Sequence, residues 1–502
     1  MTRLRLNVLS NLVGTGWLAL VQVLVVPIYL QLLGVEGYGV IGFYLTLQGT
    51  LRILDLGLSS TVNRELARYS VNAQMAREAR DFTLTFELLY WAISVVVAVV
   101  LWFASPFLVH YWLQAGSIPA GTLEHAVRSM GILAALQWPL SLYQGGLSGL
   151  ERQPLLNVIR GAMTTMMAVA GVLVLYLIAA EITLFFWSQI VVAAVHVIVT
   201  RAALWRSLPR ASAQPRFDPA LVLKVHRFAA GVTGITLCSV VLAQADKIIL
   251  SKTLSLEMFG YYTVASVGAT ALAALSAPIF NAMFPRMTAL VAQGHEAAVR
   301  PLFRLTCQFV AVATVPAALV ISVFAPEILL IWTRNEATAA SAAPILAILV
   351  IGSALNSLMY VPYALQLAYG WTRLAFTLNL ALAAAMVPAL LIAVVNYGAI
   401  GAAVVWTAVN LLYVVVGIPA THRRLFGDYG AYWFGDLAAI VGASIAVVGS
   451  WRLLYLARPS TSAALLVLVA AALTGTLAAG AVSTRIREWT VAYLVGRFGR
   501  FV

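Results

Sequence analysis

Charge is what this sequence has least of. Asp, Glu, Lys and Arg make up 10% of the 502 residues, while 62% are apolar. A soluble domain carries about a quarter charged residues. A chain so poor in charge cannot cover itself in water. Nor can it be one large soluble core, since cores stop growing near about 300 residues. Cysteine is nearly missing too. Cys238 and Cys307 both lie inside apolar runs, which excludes a disulfide framework or a zinc spacing and leaves the compartment open. His110, His125, His196 and His226 are scattered without metal-ligand spacing. There is no P-loop and no HExxH motif, so neither intrinsic ATP hydrolysis nor zinc proteolysis is expected. Gly37, Gly39 and Gly42 satisfy GxGxxG, but they follow a membrane-length apolar run rather than a strand, and a dinucleotide site is not expected. No cofactor, no metal and no enzyme activity is anticipated.

What the chain has is long apolar runs with short polar breaks. A helix crosses the hydrocarbon with roughly 20 apolar residues. Fourteen segments qualify, at approximately 8–33, 38–63, 83–108, 125–149, 157–179, 182–205, 226–251, 257–284, 303–331, 340–368, 373–395, 398–421, 433–456 and 461–484. Lipid cannot satisfy an open sheet edge, so the expected fold class is an all-α integral membrane protein of about 14 transmembrane helices. The first run is too long for a signal peptide and lacks a cleavage site, which makes it the first span. Pro27, Pro139, Pro278, Pro316, Pro362 and Pro388 fall inside spans, each able to bend its helix or simply to pack.

The basic residues give an orientation. With the N-terminus in the cytoplasm, 24 of the 31 Lys and Arg residues fall in cytoplasmic segments. Only Lys252, Arg334, Arg452 and Arg458 fall outside. The positive-inside rule predicts such asymmetry. It accounts for the net charge of +13 without nucleic acid and places both termini in the cytoplasm. Outer loops are short, which argues against a membrane-embedded polymerase or glycosyltransferase.

A basic linker at residues 207–225 is the expected domain boundary. It separates an N-terminal lobe (residues 1–206, spans one to six) from a C-terminal lobe (residues 226–424, spans seven to twelve). Residues 425–502 add two spans and a basic tail. A trace of repeat supports two parallel lobes. Leu33-Gly-Val-Glu-Gly-Tyr-Gly39 and Leu254-Ser-Leu-Glu-Met-Phe-Gly260 match at Glu36 and Glu257, Tyr38 and Phe259, and Gly39 and Gly260. Gly145-x-x-x-Gly149 reads as a close helix contact.

At these residues the chain resembles the polysaccharide transporter family, the Wzx-type flippases of the larger superfamily that includes MATE exporters and the lipid II flippase. The resemblance rests on Pro27, Leu33-Gly34-x-Glu36-Gly37-Tyr38-Gly39, Asp55-Leu56-Gly57-Leu58 and Arg64-Glu65-Leu66-Ala67. It continues in Asp246-Lys247-Ile248-Ile249-Leu250, Phe259-Gly260-Tyr261-Tyr262, Phe284-Pro285 and Tyr397-Gly398-Ala399-Ile400-Gly401, extending over roughly residues 6–425. It implies two six-helix lobes around a cavity, plus two C-terminal helices. The implied activity moves an undecaprenyl-diphosphate-linked oligosaccharide across the bacterial cytoplasmic membrane. Implied partners are that lipid-linked substrate, membrane lipids and a polysaccharide polymerase or chain-length regulator. The alternative within the fold is a MATE-like small-molecule exporter.

An ionisable group at the bilayer centre costs about 2.5–3.5 kcal/mol on insertion scales and therefore faces protein or water. Arg52 and Asp55, three apart in span two, are candidates for a substrate cavity or for a self-neutralising helix pair. The alternative reading of Asp55 is that it serves the bend at Gly57. Asp246 and Lys247 in span seven are further cavity candidates. As helix neighbours they point about 100° apart and are not expected to pair. Arg64 and Arg286, at matching inner helix ends, could greet a diphosphate at the cytoplasmic mouth or anchor the helices. Glu87 could pair with one of them. Arg128 marks the exit, or snorkels to the interface.

Overall fold

The computed structural model describes residues 2–55, 57–70, 75–211, 213–457 and 461–494. Leu56, Arg458, Arg497 and Arg500 lie outside the described residues, as do the side chains of Arg3, Arg5, Lys224, His226 and Arg227.

The described chain is helical almost throughout, and forms two compact units, Met1–Gly260 and Tyr261–Val502. The first contains α1 (Thr2–Leu51), α2 (Leu58–Ser70), α3 (Ala76–Phe107), α4 (Ala120–Gln137), α5 (Leu140–Gly149), α6 (Gln153–Leu177), α7 (Ile182–Ser207) and α8 (Pro219–Thr253). The unit boundary falls inside α9 (Leu256–Thr270). The second holds α10 (Ala273–Ala292), α11 (Glu296–Val323), α12 (Ala325–Thr333), α13 (Glu336–Leu358), α14 (Tyr360–Ala368), α15 (Arg373–Leu425), α16 (Ala431–Ala457), α17 (Thr461–Val482) and α18 (Thr484–Leu494).

Among the described residues, ten helical segments are long and apolar enough to cross a membrane. Two of them contain a break. Gly34 (φ 70°, ψ 175°) divides α1 and Gly398 (φ 55°, ψ −134°) divides α15, both in backbone regions that side chains avoid. Each therefore supplies two spans. The pair α4–α5 and the 35-residue α8 complete the fourteen.

The helix breaks recur at a constant separation of 221 residues. The first regular stretch of span two stops at Leu51, and α10 begins after Leu272. Trp138 follows α4 in span four, as Met359 follows α13 in span ten. Phe82-x-Leu84-Thr85 on α3 and Phe303-x-Leu305-Thr306 on α11 keep the same offset, and so do Gly39 and Gly260. The repeat is thus written in the helix interruptions more plainly than in residue identities.

In the first unit, Gly145 and Gly149 bring α5 onto α2. A methyl group on them would meet the Ser59 and Asn63 carbonyl oxygens at 2.7 and 2.3 Å, the close approach expected of GxxxG. Val62, Leu66, Phe82, Phe86, Tyr90, Tyr143, Leu147 and Leu204 fill the core that α2, α3, α5 and α7 share. The basic linker is docked against α3. The Arg216 N–H donates to Asp81 at 2.7 Å and the Asp218 N–H to Thr85 at 2.9 Å, while Asp218 caps α8. In packing, α8 belongs with the helices before it.

In the second unit, polar pairs tie helices where lipid offers no hydrophobic drive for association. Gln366 donates to Thr421 and Asn356 to Asn410, each at 2.8 Å. The C-terminal helices are riveted to α11 and α12 at both ends. Arg304 holds Asp436 bidentately at 2.6 and 2.7 Å, and Arg452 pairs with Glu327. Gln308 Oε1 accepts the Arg485 N–H at 3.0 Å.

Candidate functional site

Gly57, with φ 72°, prevents span two from running through as one α-helix. Arg52–Asp55 consequently form a 3-10 turn between α1 and α2. Arg52 and Asp55 lie one 3-10 turn apart, and their partners give them two roles. Asp55 closes the break. Its Oδ2 accepts from the Ser59 N–H at 3.2 Å and hydroxyl at 2.7 Å, capping α2. Its Oδ1 accepts from Tyr90 at 2.9 Å and from Ser141 at 3.3 Å. One carboxylate thus joins the half-helix to α3 and α5, which is the reading that tied Asp55 to the bend.

Arg52 is exposed and makes no ion pair among the described residues. A second cation accompanies it. Arg160 on α6 lies within electrostatic range of Arg52, is half-buried, and also lacks an acidic partner among the described residues. His196 on α7 is within range of Arg160. Only 8% of His196 is exposed, and its Nε2 is buried without a hydrogen-bond partner among the described residues. Two guanidiniums with no acidic partner among the described residues thus lie within electrostatic range of each other in membrane-spanning segments. A group able to satisfy them carries negative charge on planar or tetrahedral oxygens, the geometry Arg matches bidentately. Arg160 was missed in the sequence because the tally of cytoplasmic charges absorbed it. The available signal was its place two turns inside an apolar helix that begins at Gln153.

The remaining candidates do not join this cluster as a free charged set. Glu87 is buried and fully engaged. It accepts from Tyr143 and Trp205, each at 2.9 Å, and pairs with Arg201. Arg201 on α7, half exposed, is its ion-pair partner. Arg128 pairs with Glu124 one helical turn away, donates to Ser105 at 3.2 Å, and lies 5.1 Å over the Trp102 ring. Asp246 and Lys247 correct the expectation that neighbours on a helix cannot pair. Lys247 Nζ curls back to within 3.3 Å of Asp246 while also donating to Ala243 O at 3.0 Å. Its flexible four-carbon stem overcomes the angular separation. Arg64 and Arg286 are exposed, on α2 and α10. Among the described residues, no group of three or more His, Cys, Asp or Glu is placed to hold a metal ion.

Comparison with known proteins agrees with this architecture. A relative from Shigella flexneri described as "Putative O-antigen transporter" is 22% identical over 406 residues, covering 80% of this chain and 93% of that protein. The solved structure of the lipid II flippase MurJ in an inward closed conformation superposes with a TM-score of 0.72 at 11% identity, covering 95% of this chain and 99% of MurJ. An inward-facing multidrug resistance MATE family transporter of the MOP superfamily gives 0.66 at 13% identity, covering 82% and 95%. These two likenesses establish the fold. The profile of the family described as polysaccharide biosynthesis protein matches residues 4–291. That match spans more than half of the sequence, and the chain belongs to the polysaccharide biosynthesis protein family.

Proposed function

We propose that the chain is a flippase that moves an undecaprenyl-diphosphate-linked oligosaccharide across the bacterial cytoplasmic membrane for surface polysaccharide assembly. The observation that carries this reading is the pair Arg52 and Arg160, two cations in membrane-spanning segments with no acidic partner among the described residues. A diphosphate supplies the missing charge, and the lipid tail stays in the bilayer. Membership of the polysaccharide biosynthesis family and the relative described as an O-antigen transporter support the substrate class.

The mechanism is alternating access between two repeats joined by the linker at 207–225, with Arg52 and Arg160 receiving the diphosphate from the cytoplasmic side. Both termini lie in the cytoplasm, in keeping with the distribution of Lys and Arg. A polymerase or chain-length regulator receives the product. Arg64 and Arg286 form the cytoplasmic mouth, and Asp246 with Lys247 forms a paired element beside the path.

The test is the sidedness of lipid-linked oligosaccharide in cells lacking the protein, read with an impermeant sugar-specific probe on oriented vesicles. Intermediates trapped on the cytoplasmic leaflet, and released when the protein is restored, are expected. Normal crossing with normal glycan would instead favour a small-molecule exporter. Normal crossing without polymerisation would favour an enzyme.

A further inference from the structure

The two turns that match in sequence also touch each other, and they do so reciprocally. A methyl group on Gly39 would lie 2.0 Å from the Leu256 carbonyl oxygen. A methyl group on Gly260 would lie 2.4 Å from the Val35 carbonyl oxygen. At the offset of 221 residues, Gly39 corresponds to Gly260 and Val35 to Leu256. Each turn therefore presents its glycine to the equivalent carbonyl of the other. Exchanging the turns maps one contact onto the other, as a local two-fold relation requires. Backbone meets backbone with no space for any side chain at either position.

The segment between α3 and α4 reinforces the junction. The Leu256 N–H donates to Gln114 O at 2.9 Å, and Gln114 Nε2 donates to Lys252 O at 2.9 Å. Trp112 Nε1 donates to Ser251 at 3.0 Å, and Lys252 lies 5.0 Å over the Trp112 ring. On the other side the Glu36 carboxylate gathers the same segment, accepting the Gly116 N–H at 2.6 Å and the Ser117 N–H at 2.9 Å. A cap of residues 112–117 thus binds to both turns.

We infer that this interlock of Gly39 with Leu256 and Gly260 with Val35, strapped by residues 112–117, is the extracytoplasmic release gate of the transporter. The inference rests on the flippase reading and its orientation, which place these turns on the side away from most of the Lys and Arg. Release of a bulky saccharide requires the two turns to part.

Two measurements test it, both with Cys238 and Cys307 replaced by serine. First, an Arg52→Cys reporter is exposed to an impermeant maleimide from outside the cell. Labelling is expected to be slow with the native turns. With Gly39→Val or Gly260→Val it should be at least about ten-fold faster, because a side chain cannot occupy the junction. Equal labelling with and without these substitutions overturns the gate. Second, Gln114→Cys with Ser255→Cys joins two residues that pair as an isolated bridge, within the span a disulfide tolerates. The oxidised protein is expected to lose flipping and regain it on reduction. Undiminished flipping when cross-linked also overturns the gate. This second arm stands even where a glycine variant fails to fold. Labelling reports the gate alone. Faster labelling in the valine variants, with lipid-linked oligosaccharide crossing normally in cells lacking the protein, would keep the gate and remove the flippase reading.

Discussion

Tyr90, fully buried on α3, donates its phenolic hydrogen bond to Asp55 Oδ1 across 2.9 Å, fixing the point where span two stops being a regular helix. The same carboxylate caps α2 through Ser59. Asp55 is therefore predicted to act on stability rather than on substrate. Asp55→Ala should cost about 1–3 kcal/mol by stranding buried donors and losing a cap. Tyr90→Phe should cost about 1 kcal/mol, as interhelical hydrogen bonds in membranes do. Thermal unfolding in detergent checks both. An Asp55→Ala protein of native stability that no longer flips lipid would return Asp55 to the substrate path.

Arg52 and Arg160 should behave in the opposite way. Neither has an acidic partner to strand among the described residues, so Arg52→Ala and Arg160→Ala are expected to leave thermal stability and membrane abundance intact. Each should lower flipping on the order of 10–100-fold, the worth of a lost charge-assisted hydrogen bond. Lysine at either position should restore part of the activity, because it keeps the charge but not the bidentate fork. Flipping in reconstituted vesicles reads the effect, and an Arg160→Ala protein with native transport would remove Arg160 from the site.

Glu87 accepts from Tyr143, Arg201 and Trp205, a set of donors drawn from α5 and α7. Glu87→Ala should therefore destabilise the first unit by about 2–4 kcal/mol, since it leaves buried donors unpaired. Arg201→Ala should cost less, about 0–1 kcal/mol, because half of that side chain is exposed and water replaces the lost partner. Unfolding midpoints in urea or by heat would show the difference. Equal losses would contradict a hub centred on the carboxylate.

The loop between α15 and α16 carries an acid-sensitive joint. Burial pushes the Asp428 carboxyl up, but the Gly430 N–H, His422 and Arg300 outweigh it and hold the group below its ordinary value of 3.8. Nδ1 of His422 donates to it at 2.9 Å. A depressed carboxyl contributes stability that is fully present above its unfolded value and fades as pH falls through the folded one. Melting temperature plotted against pH should therefore decline below about pH 4, with a shallower decline in Asp428→Asn. Parallel acid limbs in the two proteins would show that Asp428 is not the titrating group.

Fourteen apolar runs, the charge asymmetry and the repeated turn are local properties of the chain, and each was legible without coordinates. Membrane thickness sets helix length and lipid forbids unpaired backbone, so composition alone decided an all-helical membrane protein. The Gly145 and Gly149 contact was legible for the same reason, since i,i+4 spacing places both on one face. The partners of charged side chains were not. Arg160 looks like a cytoplasmic anchor in a linear count and becomes a candidate ligand only when α6 carries it beside Arg52. Glu87 meets Arg201 from a helix more than a hundred residues away. Asp55 and Arg52 sit three residues apart and acquire different roles because α3 and α5 bring Tyr90 and Ser141 to Asp55. The sequence by itself determined how many times the chain crosses the membrane and where its turns repeat. Only the tertiary structure decided which charges are neutralised and which remain available, because ion pairing depends on which helices pack together and not on distance along the chain.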